Sequence, residues 1–303
     1  MDYAAIAVIA LLVAASACWP LLRASGKRRK ALKAQALQLP EHHRPRYQQS
    51  LAGNPLAFPL AMSSGYALCR GADLDEFLFP DAEEERITLA EAWGIFDTED
   101  AVQELWSLLS QGHRSGWQQS RELVNAGGAA LAQHRKILGS RARTSEEARE
   151  ELLSLRRLQR NERGVQELDF LAWDLSRAVM VARSAATCGF LDQHVAQDVA
   201  LQAASYAQQT YGSWDEFAKA FDTARWFWRA QQDSALDDAH DAHRTQVLTS
   251  AEGPFVQVDF AASVPASQLL LLDAARELGL SLRAEEEDRD WQRALVAAAH
   301  SRT

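Results

Sequence analysis

The chain is poor in cysteine and lacks the signatures of the common enzyme classes. Its three cysteines are Cys18, Cys69 and Cys188, and no two form a CxxC pair. Two widely separated thiols outside the N-terminal stretch make neither a disulfide framework nor a zinc knuckle, and they fit a reducing compartment. No GxSxG, HExxH, GxxxxGK[ST] or GxGxxG occurs. The usual serine-hydrolase, zinc-protease, P-loop and dinucleotide sites are therefore missing, and the sequence implies no cofactor.

Basic charge is scarce outside the first 46 residues. Those hold eight Lys and Arg against Asp2 and Glu41, a balance of +6; a chain total of −9 leaves −15 on the other 257 residues. Phosphate backbones are held by clustered Lys and Arg, so an acidic body argues against nucleic acid as a partner. The basic stretch adjoins an apolar segment, which makes lipid head groups the better partner for it.

That segment runs from Tyr3 to Leu22 without a charge. About twenty residues at roughly 1.5 Å each span a hydrocarbon core of about 30 Å. Tyr3 and Trp19 sit near its ends, where aromatic belts form. A cleaved signal peptide needs a basic start, and Met1-Asp2-Tyr3 has none. Ala15-Ser16-Ala17-Cys18 resembles a lipoprotein site but lacks the large aliphatic residue three before the cysteine. A core helix is the third alternative. The uncleaved transmembrane helix is the favoured reading, with the bilayer as partner of residues 3–22 and of the basic residues 23–33. Six Lys and Arg follow the helix and none precedes it. The positive-inside rule then sets the N-terminus outside and the body in the cytoplasm, at a bacterial inner membrane.

The expected fold class is mainly α: a multi-helix domain behind that transmembrane helix, with a small C-terminal α/β appendage. The domains read as an anchor at 1–23, a basic tether at 24–50, a helical domain at 51–230, a linker at 231–253 and the appendage at 254–303. Prolines and glycines in 51–80 predict irregular structure with a short helix at most. Asp81–Arg86 reads as an acidic loop and Glu83–Glu85 as a solvated run, with Thr88-Leu-Ala-Glu91 boxing the start of a short helix. Further helices are expected at 98–111, ended by Gly112, at 117–138, and after the cap Thr144-Ser-Glu-Glu147. Glu167–Cys188 is apolar on two faces and reads as a central, covered helix. Asp192–Tyr211 follows. Ser213-Trp-Asp-Glu216 then caps a helix on which Trp214, Phe217, Phe221 and Trp228 share a face, with Trp226 nearly opposite. Phe255-Val-Gln-Val-Asp-Phe260 alternates as a strand does, and Leu280–Arg283 reads as a second strand. Helices are expected at Ser267–Leu278 and Asp288–His300.

Several blocks carry a family resemblance. They are Trp93-Gly-Ile, Leu108-Leu-Ser-Gln-Gly-His113-Arg, Ala172-Trp-Asp-Leu-Ser-Arg177, Gly189-Phe-Leu, Tyr211-Gly-Ser-Trp-Asp-Glu-Phe217 and Arg225-Trp-Phe-Trp228. Together, over about residues 85–230, they resemble the bacterial domain of unknown function 1266, with Ala224 standing where Gly is expected. The resemblance implies architecture and transfers no activity.

Candidate chemistry centres on Asp174 and Arg177, i,i+3 neighbours among Phe170, Trp173, Met180 and Val181. Lone buried charges are costly, so each should pair with the other or with another element. An ion pair that locks helix packing is the plainer reading, and a polar floor to a ligand pocket is the functional one. His113, after Gly112, reads as a dipole partner at a helix C-terminus before it reads as a base. Asp237-Asp-Ala-His240-Asp-Ala-His243 carries metal-ligand residue types, but such runs are commonly solvated, and no metal site is assigned. The favoured function is a membrane-anchored, cytoplasm-facing binding or regulatory module that meets a protein partner through aromatics such as Trp226. The alternatives are an enzyme of unrecognised type around Asp174, Arg177 and His113, and a toxin-neutralising partner at the membrane.

Overall fold

The computed structural model describes residues 44–229 and 235–282, and it is mainly helical. The expected transmembrane helix, most of the basic tether, Cys18, Arg283 and the helix at Asp288–His300 lie outside the described residues. Among the described residues, no helix is long and apolar enough to cross a membrane.

Twelve α-helices are described. They are α1 (Ala57–Cys69), α2 (Ala82–Trp93), α3 (Thr98–Ser110), α4 (Arg114–Ala126), α5 (Gly128–Arg141) and α6 (Glu146–Gln159), then α7 (Leu171–Cys188), α8 (Gln193–Thr210), α9 (Trp214–Trp228), α10 (Ala235–Leu248), α11 (Pro254–Gln257) and α12 (Leu270–Glu277). The expected central helix is α7. It is buried along nearly its whole length and packs against α1, α2, α3, α8 and α9. Its small residues Ala172, Ala178, Ala182 and Ala185 are fully buried and let α8 approach closely. Around them lie Leu105, Leu108, Leu109, Val199 and Phe217. Burying such side chains supplies roughly 1.5–3 kcal/mol each before chain entropy is counted.

Side-chain caps fix where the helices begin. Ser213 Oγ accepts from the Glu216 amide at 3.2 Å to open α9, and Asp97 does the same for Asp100 at 3.0 Å to open α3. Each such cap contributes about 1 kcal/mol. Gly94 and Gly189 adopt left-handed backbone just past α2 and α7, as helix-ending glycines do.

Several expectations are corrected. The region 51–80 holds a full buried helix, α1, because its apolar run Phe58–Met62 faces the core. The acidic stretch is no loop: Asp81 accepts from the amides of Glu83 and Glu84 at 3.0 Å each, so α2 starts there and Thr88 lies mid-helix. The helix expected at 117–138 breaks at Gly127 and Gly128, both at positive φ. Ser145 rather than Thr144 caps α6, accepting from Ala148 at 3.1 Å. The expected linker is largely helix α10. No strand forms among the described residues, so the α/β appendage is not found: Pro254–Gln257 makes one helical turn and Leu280–Leu282 pairs with nothing as a strand. The aromatics there pack on Trp214 instead. Phe255 stacks on Trp214 at 4.5 Å, Phe260 meets its edge at 5.0 Å, and Trp214 Nε1 donates to the Val258 carbonyl at 2.6 Å.

Candidate functional site

Three of the four sequence candidates converge at the turn between α3 and α4. Gly112 sits there at φ +58°, and a Cβ on it would fall inside the Asp174 carboxylate. The chain therefore needs glycine at this point both for its backbone and for its missing side chain. Asp174, in the first turn of α7, is fully buried. Its Oδ1 accepts from the His113 amide at 2.9 Å, and its Oδ2 accepts from the Arg114 amide at 3.2 Å and from Arg114 Nη1 at 2.9 Å. Arg114 also donates to the carbonyls of Leu108 and Leu109 at 3.0 Å each, closing the C-terminal turn of α3. One ion pair thus ties together the end of α3, the start of α4 and the head of α7. Burial pushes the Asp174 carboxyl up, but the His113 hydrogen bonds and the Arg114 charge outweigh it and hold the group below the usual carboxylate range.

The partner of Asp174 is Arg114, not Arg177. Arg177 lies one turn further along, where its guanidinium sits 4.3 Å from the Trp93 ring centre and 5.0 Å from that of Trp173. Its Nη1 reaches His113 Nδ1 at 2.8 Å and Nε2 at 3.1 Å. His113 stands at the N-terminal cap of α4, and it is Arg114 that donates to the last carbonyls of α3. It is partly exposed, with Nδ1 3.4 Å from Asp174 Oδ1, and its ring meets Trp228 edge-on at 4.4 Å. Glu104 lies in the same neighbourhood; burial raises its pKa, against the charges of His113 and Arg177.

The fourth candidate lies elsewhere. Trp226 is buried, with Arg157 and Arg163 4.2 Å and 4.4 Å from its ring centre, and its carbonyl accepts from Arg157 at 2.8 Å. The indole that α9 turns outward is Trp228, 49% exposed. Sequence periodicity placed Trp228 on the buried face with Trp214; it ends the helix, beyond the reach of the core.

Trp228 and Phe227 border a groove of about 330 Å3 between α4, α5 and α6. Trp117 and Leu155 add apolar wall, and Glu147, Glu150, Glu151 and His134 supply polar rim. A second cavity of about 280 Å3 lies where α1, α9 and α10 meet. Sequence reasoning missed it because it took α10 for a linker. It also missed Glu85, expected in water. Glu85 is buried, ion-paired with Arg70 and bonded to Ser184. Its signal is register: it stands one turn before Leu89 on the core face of α2. Among the described residues, no group of three or more His, Cys, Asp and Glu side chains is placed to hold a metal ion.

These features define a helical domain organised by a buried helix whose leading carboxylate clasps a neighbouring turn. A family model described as a protein of unknown function (DUF1266) matches residues 88–260. The chain belongs to that family, and the match runs past the expected residue 230 to take in α10 and α11. No curated protein and no solved structure matches the chain.

Proposed function

We propose that this chain is a membrane-tethered, cytoplasm-facing binding module that engages a protein partner at the groove beside Trp228. The observation that carries the reading is a half-exposed indole at the lip of an apolar groove with three carboxylates on its rim. Large aromatics in such positions are common anchors at interfaces. The matching partner segment carries an apolar side chain for the Trp117 and Phe227 walls and basic side chains for Glu147, Glu150 and Glu151. A toxin with a basic face is one partner of that chemistry. The tether rests on the uncharged Tyr3–Leu22 and the six Lys and Arg after it.

The enzyme reading draws less support. A general base needs a free nitrogen toward its substrate. Arg177 Nη1 lies against the His113 ring, His113 Nδ1 is 3.4 Å from Asp174 Oδ1, and both Asp174 oxygens are already engaged by donors.

The test places a photo-cross-linking amino acid at position 228 of the full-length chain in cells. A discrete adduct is expected, lost when Glu150 and Glu151 become Lys and absent when the probe sits at the exposed Phe96. Identical adducts from positions 228 and 96 would sink the groove as the docking site. A C-terminal fluorescent-protein or phosphatase fusion tests the orientation: active phosphatase would put the body outside the membrane.

A further inference from the structure

The cavity between α1, α9 and α10 has a different chemistry from the groove. Among the described residues its lining carries three guanidiniums, Arg225, Arg229 and Arg244, and two imidazoles, His240 and His243, against one carboxylate, Asp241. Leu68 and Val247 supply an apolar wall. Gly65 lets α10 close in: a Cβ there would lie 2.9 Å from Arg244 Cδ, so the arginine stem packs against bare backbone.

The guanidiniums are held in place before any ligand arrives. Asp241 Oδ1 accepts from Arg225 Nε at 2.7 Å and from Arg244 Nη1 at 2.9 Å. Asp222 accepts from Arg244 Nη2 at 2.6 Å and from Thr245 Oγ1 at 2.6 Å. Arg244 is thereby committed on both sides. Arg225 is not: Nε is the only one of its nitrogens that hydrogen-bonds among the described residues, so a residue that lines the cavity keeps the donors of both Nη groups. A fork of two parallel N–H donors on a fixed guanidinium matches an oxyanion with two oxygens in one plane. The two imidazoles, one helical turn apart on α10, add donors to the same lining.

We propose that this cavity binds a phosphomonoester, with the phosphate on Arg225, His240 and His243 and the organic part against Leu68 and Val247. A bare inorganic ion would leave most of the volume and the apolar wall unused, so an organic phosphate fits better than phosphate alone. Asp241 acts as a positioning residue, since its Oδ1 accepts from Arg225 and Arg244 alike, and Arg244 has its donors committed to Asp241 and Asp222. The phosphate can belong to a soluble metabolite or to a lipid head group, and the same donors serve either.

The experiment uses the full-length chain in neutral detergent micelles and follows thermal unfolding and calorimetric binding. Phenyl phosphate serves as the soluble probe, a short-chain phosphatidate as the lipid probe, and sodium chloride at matched ionic strength as the control. At least one phosphate probe should raise the melting temperature saturably while chloride does not. Arg225→Gln should weaken that binding roughly tenfold or more, since it removes a charged hydrogen-bond pair. His243→Asn, away from the Asp241 bridge, should weaken it while leaving the melt of the ligand-free chain unchanged; it keeps the test valid if Arg225→Gln fails to fold. A response to phosphatidate alone assigns the site to a head group, and a response to phenyl phosphate assigns it to a soluble ligand. Equal responses to chloride and to both probes, or binding untouched in both variants, would overturn the proposal. The Trp228 groove is not involved, so cross-linking at position 228 and phosphate binding succeed or fail independently.

Discussion

Two charged clusters flank α9, and they are built from the same residue types to opposite effect. At the α3–α4 turn, Asp174 meets Arg114 with no exposure on either side, and every polar atom of the carboxylate is matched by a donor. Between α9 and α10, Asp241 meets Arg225 and Arg244 at similar distances, yet Arg225 keeps donors in reserve beside an open cavity. A closed pair consumes its hydrogen-bonding capacity in holding helices together. An open one orients a charge and leaves part of it available. Removing one partner of a closed pair strands the other in a low-dielectric interior, whereas water can relieve the open one.

The largest expected effects therefore lie at the closed cluster. Arg114→Ala should cost about 3–5 kcal/mol, because Asp174 would be buried without a counter-charge and the last carbonyls of α3 would lose their donor. Gly112→Ala should cost about 3 kcal/mol or more, from the left-handed backbone and from collision with the Asp174 carboxylate. Arg177→Ala should cost only about 1–2 kcal/mol, the loss of its stacking on Trp93 and Trp173 and of a half-buried stem. Chemical denaturation of the three variants ranks them. A costlier loss at Arg177 than at Arg114 would show that the ion pair has been assigned to the wrong arginine.

The open cluster should respond with opposite signs in two assays. Asp241→Asn keeps an Oδ1 acceptor for Arg225 and Arg244 but removes its charge, and should lower stability by about 1–3 kcal/mol. The same change makes the cavity more cationic, so phenyl phosphate should bind the variant more tightly than it binds the parent. Weaker binding would mean that Asp241 does more to place Arg225 than to neutralise it.

Acid separates the clusters in another way. The folded-state pKa of Asp174 is depressed, so its stabilisation is fully present above the unfolded value of about 3.9 and is lost as pH falls through the folded value. Melting temperatures taken from pH 5 downward should fall for the parent. Asp174→Asn should start lower and fall less steeply over that acid range. Parallel curves would show that other carboxylates dominate the acid response.

Much of the framework was legible in the sequence, and the reasons are local. The double apolar face within 167–188, the Ser213–Glu216 cap and Gly112 as a stop each depend on residues within a turn or two. The meeting of His113 with Asp174 and Arg177 is tertiary, bridging more than sixty residues of chain, and no local pattern announces it. The choice of partner was not legible. Spacing names Arg177 as the mate for Asp174, and Arg114 emerges only once the α3–α4 turn is placed in space. Alternation of Val256, Val258 and Phe260 mimics a strand, yet Val256 is exposed while Val258 is buried and Phe260 packs on Trp214, so no common face is covered. Glu85 and Trp226 failed for a shared reason. Each sits among residues of matching character, so the register of Glu85 with Leu89 is a faint signal, and the packing of α2 on α7 and of α9 on α6 decides which of the set turns inward.

The smallest stability effect belongs to Trp228, where the contrast between holding and binding is sharpest. Its indole touches His113 through one edge and leaves about half its surface to solvent. Trp228→Ala should therefore cost about 1 kcal/mol or less. If the groove is a docking site, the same truncation should abolish capture of whichever partner cross-links at position 228, since anchor aromatics commonly account for 2 kcal/mol or more of binding. Trp226→Ala should do the reverse. It opens a cavity between Arg157 and Arg163 and lowers stability by about 3–5 kcal/mol. At temperatures where the variant is still folded, its groove should bind as before. Equal losses of partner capture in both folded variants would mean that the outward ring of Trp228 is not the contact, and that the partner reads the shape of the whole α4–α6 face instead.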